Sequence, residues 1–308
     1  MSRGQPSLAQ LMRRTARMVA PAAVRNHLLR APDWAIAVFE GDAPHRLRPH
    51  PAVTNPILTG RDVSDVDAAF VADPFVVQRD GVWHLFFEVL NRTSGRGEIG
   101  LATSEDLRRW TYQRIVLAEP FHLSYPLVFE HDDAVHLLPE AAESGGVRLY
   151  RATNFPHEWT LEAVVMTAPV ALDATVFQHG GHWWMLCDTS RRRTHDTLCL
   201  YRAATPVGPW VAHPASPLIT GDPAAARPAG RVVQTDGTLI RFAQDCAHRY
   251  GQRVRAYEIT ELTPTAYRER LLDPAVVGPG DRPWNMHAMH HVDAHRIDGR
   301  WLAFVDGS

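Results

Sequence analysis

The chain repeats itself, and the repeat limits the folds open to it. Residues 72–89, ADPFVVQRDGVWHLFFEV, carry two apolar runs around a turn at Asp80-Gly81. Four later segments follow the same plan: SYPLVFEHDDAVHLLPEA from Ser124, LDATVFQHGGHWWMLCDT from Leu172, RPAGRVVQTDGTLIRFAQDC from Arg227 and HHVDAHRIDGRWLAFVDG from His290. Counting eight residues back from the turn residues Gly81, Asp133, Gly181, Gly237 and Gly299 marks Asp73, Tyr125, Asp173, Ala229 and His291, which lie 52, 48, 56 and 62 residues apart. Hairpins recurring at such a period are the mark of propeller blades, sheets that bury their faces only by stacking on neighbours.

A third strand follows the first four hairpins, and usually a tryptophan-bearing fourth, as in GEIGLATSEDLRRWTY and VRLYRATNFPHEWTL. The fifth hairpin has none after it, and WAIAVFEGD at 34–42 has the matching apolar alternation. The reading is therefore an all-β, five-bladed β-propeller over residues 34–308, closed by an N-terminal strand, which also removes open sheet edges. Residues 1–33 read as a helical extension. Their apolar residues Leu8, Leu11, Met12, Met18 and Val19 fall at helical spacing beside Arg13, Arg14, Arg17 and Arg25, broken by Pro21. Such a short helix either docks on the domain or makes weak contact with a membrane surface or partner. Neither a signal-peptide core nor a membrane span is seen.

The repeat also points to a site. In each hairpin the residue eight before the turn and the one seven after it lie at the open end, some 23 Å from the turn at about 3.3 Å per residue, and are expected to be cross-strand neighbours. The first set is Asp73, Tyr125, Asp173, the Arg227-Pro228-Ala229 stretch and His291; the second is Glu88, Glu140, Asp188, Gln244 followed by Asp245, and Asp306. If first strands line the channel, these ends converge on one acidic rim. Either the acids serve ligand chemistry or they cap turns and satisfy backbone N–H groups.

Composition narrows the chemistry. All 32 Lys+Arg residues are arginine, which excludes lysine Schiff bases and a Walker A loop and suggests a GC-rich bacterial genome. A net charge of -2 argues against nucleic-acid binding. Cys187, Cys199 and Cys246 form no CxxC, so neither a disulfide framework nor a zinc knuckle is expected, and a reducing cytoplasm fits. No GxSxG elbow surrounds Ser124. Trp83, Trp183, Trp184 and Trp301 fall on second strands and read as inter-blade core rather than sugar platforms.

The Asp-Pro-Phe opening, the FFE closing the second strand, GEIGLATSEDLRRW and Leu-Asp-Ala-Thr-Val-Phe of the third repeat resemble the propeller clan of arabinanases, β-xylosidases, invertases and levansucrases, glycoside hydrolase family 43-like. With SYP and PE in blade two, RPAG…QDC…YG in blade four and HHVDAHRIDG at the end, the chain is most similar to the N-terminal domain of glucosamine inositolphosphorylceramide transferases and its bacterial relatives. The resemblance implies Asp73 as general base or nucleophile and Asp173 as the residue orienting substrate. The clan's blade-four general acid has no counterpart: Ala226-Arg227-Pro228 stands in its place, and arginine does not protonate a leaving group at neutral pH. Glu140 or Glu88 would then have to supply the acid. Arg227 either clamps an anionic ligand or pairs with Asp173 or Asp245.

The resemblance further implies a structural calcium in the channel with His291 nearby; no dedicated metal site or other cofactor is expected. Two functions follow. One is an enzyme acting at a glycosidic centre of an anionic or activated sugar, by hydrolysis or transfer, with Asp73, Asp173 and Glu140 catalytic and Glu88, Tyr125, Asp188, Arg227, Asp245 and His291 binding a sugar or sugar phosphate. The other is a non-catalytic propeller binding a sugar or glycolipid headgroup for a partner transferase.

Overall fold

The computed structural model describes residues 33–168, 170–191 and 194–308; the N-terminal helix expected over the first 33 residues falls almost wholly outside them. Strands β1 (Ala35–Ala43) and β2 (Arg46–Pro49) come first. Blade one is β3 (Ala68–Arg79), β4 (Val82–Asn91), β5 (Arg96–Ser104) and β6 (Thr111–Leu117); blade two is β7 (Ser124–His131), β8 (Ala134–Glu140), β9 (Gly146–Asn154) and β10 (Glu158–Thr167). Blade three has β11 (Leu172–His179), β12 (His182–Asp188) and β13 (Thr197–Ala203), with short β14 (Val211–Ala212) and β15 (Ile219–Thr220) both paired to β13. Blade four is β16 (Val233–Thr235), β17 (Thr238–Asp245), β18 (Arg253–Leu262) and β19 (Tyr267–Val277). Blade five joins β20 (Val292–Ile297) and β21 (Arg300–Gly307) to β1 and β2, with β1 antiparallel to β21 from Ala35↔Gly307 to Gly41↔Trp301. The architecture is an all-β, five-bladed propeller, and no helix among the described residues is long and apolar enough to cross a membrane.

The repeat has a local cause. All five hairpins close with two-residue loops whose residues both have positive φ: Asp80-Gly81, Asp132-Asp133, Gly180-Gly181, Asp236-Gly237 and Asp298-Gly299. This is the type I′ turn, whose twist matches that of the flanking strands and which Gly and Asp tolerate best. The apolar alternation then buries residues between blades. Phe86, Leu127, Leu149 and Met185 join blades one to three; Trp184, Leu200, Leu239 and Ile259 join three and four; Phe242, Met289 and Val305 join four and five; Ile36, Phe304 and Leu85 join five and one. Trp83, Trp183, Trp184 and Trp301 are all buried.

Near the axis the blades are tied by polar contacts. The Asp293 carboxylate accepts from the Val76 N–H (2.8 Å), Arg231 Nε (2.7 Å) and His295 Nε2 (2.8 Å), while Arg231 Nη2 donates to the carbonyls of Val76 and Val128 (3.3 and 3.1 Å). One guanidinium thus spans blades one, two, four and five. Burial alone would raise the Asp293 carboxyl, but Arg231 and His295 hold it well below the ordinary carboxylate range. Its stabilisation is therefore present above about pH 4 and is lost as pH falls further.

Arg231→Ala is expected to destabilise the protein by about 3–5 kcal/mol at pH 7, the cost of stranding a fully buried carboxylate, with a smaller penalty in the Arg231→Ala/Asp293→Asn double variant. Chemical denaturation of the variants checks this; equal losses in the single and double variants would contradict it.

Candidate functional site

The inner strands of blades one to three each carry a left-handed residue: Asp73 (φ 53°), Tyr125 (φ 46°) and Asp173 (φ 50°). Each sits in a bulge, where the pairing register shifts between Ala72 and Phe75, Ser124 and Leu127, and Leu172 and Thr175. The bulge displaces the pairing by one residue. Glu88, Glu140 and Asp188 stand opposite Ala72, Ser124 and Leu172, rather than opposite Asp73, Tyr125 and Asp173 as equal strand lengths would give. The bulge leaves the Asp73 carboxyl facing the Tyr125 N–H of blade two and the Asp173 carboxyl facing Arg227 of blade four.

Around them lies a crowded cluster of acids, Asp73, Asp173, Glu88 and Asp306 all buried. Asp73 Oδ2 accepts from the Tyr125 N–H (3.2 Å), and Asp306 accepts from the Asp73 N–H (3.0 Å), the His290 N–H (3.1 Å) and His290 Nδ1 (2.8 Å). Burial pushes the Asp73 carboxyl up to about 7 against the pull of His290, with Asp306 and Asp173 adding to the rise. Burial and the nearby Asp173 raise Glu140 to about 7 as well, although it accepts from the Ala142 N–H and from Ser124 Oγ (2.6 and 3.2 Å). Glu88, buried and 3.3 Å from His122 Nε2, is raised well above its ordinary range by burial and by Asp73, Glu140, Asp173 and Asp306. Two carboxyls, Asp73 and Glu140, are thus poised both to give and to take a proton near neutral pH.

Arg227 resolves one of the alternatives open at the sequence level. Its Nε and Nη2 donate to the two oxygens of Asp173 (2.6 and 3.2 Å), and Gln244 Nε2 donates to Asp173 Oδ2 (2.9 Å). The third guanidinium nitrogen is engaged as well: Nη1 donates to His195 Nδ1 (3.0 Å), and the cation lies 5.3 Å from the Tyr250 ring. Tyr250 is 45% exposed, the largest aromatic surface offered beside these groups.

The remaining sequence candidates divide. Asp188 is fully buried, accepting from the Ser190 N–H (2.7 Å) and lying 3.4 Å from His195. Tyr125 is fully buried with its hydroxyl bonded to Thr175 Oγ1 and the Gly230 N–H (2.8 and 2.6 Å), so it ties strands together instead of facing a ligand. Asp245 is engaged by Arg255 (2.7 Å) on the neighbouring strand, not by the pocket. His291 packs between the Phe75 and Tyr125 rings, and burial pushes its pKa down to about 4, leaving it neutral. The Cys246 thiol is pushed up to about 11, chiefly by burial, which makes it a poor nucleophile.

Tyr250, His195 and Arg231 went unrecognised in the sequence. The first two lie between strands, where the repeat gives no register. Among the described residues Asp73, His290 and Asp306 bring ligand-type atoms within 4.8 Å of one another. The Asp306 oxygens accept three N–H donors here, and two carboxylates with one imidazole fall short of the six to eight oxygen ligands calcium takes.

Residues 30–308 match the family model described as glucosamine inositolphosphorylceramide transferase 1, N-terminal. The chain is 34% identical over 296 residues to glucosamine inositolphosphorylceramide transferase 1 of Oryza sativa subsp. japonica, covering 89% of this chain and 40% of that protein. It therefore spans well under half the length of the curated relatives it matches, and these are plant proteins, which lend no support to the bacterial source inferred from arginine usage. In fold it is similar to a putative glycoside hydrolase of Parabacteroides distasonis (TM-score 0.62, 11% identity, 84% of this chain and 95% of that one) and to the Cellvibrio cellulosa α-L-arabinanase complexed with arabinohexaose (TM-score 0.54, 16% identity, 78% and 95%).

A carboxyl raised from 4.5 to about 7 by folding destabilises the native state once ionised, so its cost grows as pH rises from about 4 through 7. Glu140→Gln should accordingly stabilise the protein by about 3 kcal/mol at pH 8, with the gain vanishing below about pH 4. Unfolding curves of wild type and variant across this pH range check it; a pH-independent difference would contradict the raised carboxyl.

Proposed function

The chain belongs to the family of glucosamine inositolphosphorylceramide transferase N-terminal domains, and from that premise we propose that it is a carbohydrate-active propeller that binds an anionic or activated sugar at the acidic rim and acts at its glycosidic centre, by hydrolysis or transfer. The observation carrying this reading is the cluster of carboxyls in which Asp73 and Glu140 are both raised to about 7 and both feel the charge of Asp173. One would take a proton from the attacking hydroxyl while the other gives one to the leaving oxygen, the division of labour used at glycosidic centres. Asp73 is assigned as base or nucleophile and Glu140 as acid. Asp173, locked by Arg227 and Gln244, orients the ring.

The carboxyls suit hydroxyl and amino groups of a sugar ring, whereas a phosphate among them would be repelled. The proposal therefore seats the ligand's anionic part at Arg227, whose Nη1 would exchange His195 for the anion, with the sugar's apolar face against Tyr250. The relatives' names join a glucosamine to an inositolphosphoryl lipid headgroup, a pairing of these same two chemistries. A binding-only role for a partner transferase is the second reading, supported by Arg227 being held in an ion pair with Asp173, where it offers no proton to a leaving group.

Calorimetry with glucosamine, glucosamine 1-phosphate and inositol 1-phosphate, beside a panel of aryl glycosides, separates these readings. The phosphorylated ligands are expected to bind more tightly, with affinity falling as salt rises. Tyr250→Ala should weaken binding by about 1 kcal/mol. Asp73→Asn should abolish turnover without lowering the melting temperature, since the amide oxygen still accepts from the Tyr125 N–H and the cost of a buried charge is removed. Equal affinity for neutral and phosphorylated sugars contradicts the anionic ligand, and binding without any turnover selects the second reading.

A further inference from the structure

His290 is the one charged partner of Asp73 that the clan comparison leaves without a role, and its surroundings are unusually constrained. The ring is 4% exposed on its side chain and stacks on Trp34 at 4.0 Å with an interplanar angle of 17°. Tyr250 meets it edge-on at 5.5 Å, and the Gly251 backbone presses so close that a Cβ there would lie 2.6 Å from His290 Cβ. The imidazole therefore has one available pose. Nδ1 is 2.8 Å from Asp306, whose oxygens also accept the backbone N–H groups of His290 and Asp73, so the Asp306 carboxylate fixes the ring and the strand that carries Asp73 together. With Nδ1–H committed to Asp306, Nε2 is left facing Asp73 Oδ1 at 3.9 Å.

We propose that His290 is a positioning residue acting through Asp73: clamped by Asp306, its imidazolium is the counter-charge that favours the ionised form of the Asp73 carboxylate and fixes where Oδ1 sits. This rests on the reading of Asp73 as the reacting carboxyl. Asp306, Asp173 and Glu88 repel a charge on Asp73, Arg227 attracts it but spends two of its donors on Asp173, His291, whose Nδ1 is 3.7 Å from Asp73, is neutral, and Trp34 stacks on His290 while Tyr250 meets it edge-on. Burial opposes a charge on His290, yet Asp306 more than offsets it, and the imidazole stays protonated to higher pH than an exposed one. Asp73 and His290 then titrate as one coupled system instead of two independent groups.

The test needs no ligand, so its outcome is independent of whether the protein turns over a sugar. Protein labelled with ¹³C at the aspartate carboxyls is titrated by NMR, the Asp73 signal being the one lost in Asp73→Asn. In His290→Gln the Asp73 midpoint is expected to move up by about 1 to 3 pH units, the range an adjacent opposite charge produces. Linkage requires the reciprocal effect: in Asp73→Asn the His290 ring proton midpoint must fall by a similar amount, and this arm stands alone if His290→Gln does not fold. A lowered melting temperature with both midpoints unmoved would reduce His290 to packing and overturn the proposal, as would a downward shift of Asp73 in His290→Gln.

Discussion

Three residues in a backbone conformation that L-amino acids seldom adopt, Asp73, Tyr125 and Asp173, set the inner ends of blades one to three. Each such residue costs roughly 1–3 kcal/mol and persists only where its surroundings hold it. Here they hold one another. The Tyr125 N–H binds Asp73, the Asp73 N–H binds Asp306 in blade five, the Tyr125 hydroxyl reaches Thr175 in blade three and Gly230 in blade four, and Asp173 is gripped by Arg227 and Gln244 of blade four. The circuit passes through all five blades. The same bulges that cost backbone strain gather the carboxyls, so the closing of the ring and the construction of the pocket are one arrangement.

Crowding carboxyls in a buried space is unfavourable, and the protein divides the charge unevenly to accommodate it. Asp306 and Asp293 are held ionised by histidine and arginine partners, while Asp73, Glu88 and Glu140 are pushed toward the neutral form. Acids with a cationic partner tie the blades together, and those without a close one carry the cost of burial. Amides or apolar residues in the second group would be more stable, and it is these acids that the proposed chemistry uses.

Much of the blade architecture was legible in the sequence because the type I′ turns advertise themselves: Asp-Gly or Gly-Gly between two apolar runs fixes both the hairpin and its register near the turn. Far from the turn the register was off by one, since a bulge carries no signal when its left-handed residue is an Asp or Tyr instead of a glycine. The acids Asp73, Glu88, Glu140 and Asp173 were found through the repeat. The pairing of Arg227 with Asp173 remained one alternative among three, because it joins blades three and four and no local pattern records it. Tyr250 and His195 lie in connections between strands, where position is decided by tertiary packing, and Arg231, two residues from the anticipated Ala229, was hidden within an ordinary RPAGRVV stretch.

The central claim is that the acidic end of the axis is a sugar site in which Asp73 and Glu140 handle protons. A crystal structure of the protein soaked with glucosamine 1-phosphate tests it most directly. The account predicts a sugar ring lying between the Asp73 and Glu140 carboxyls, these separated by about 5–9.5 Å, with the phosphate at Arg227 and His195 and the ring face on Tyr250. A ligand bound elsewhere on the propeller, or a pocket whose carboxyls stand too close to admit a ring, would contradict it.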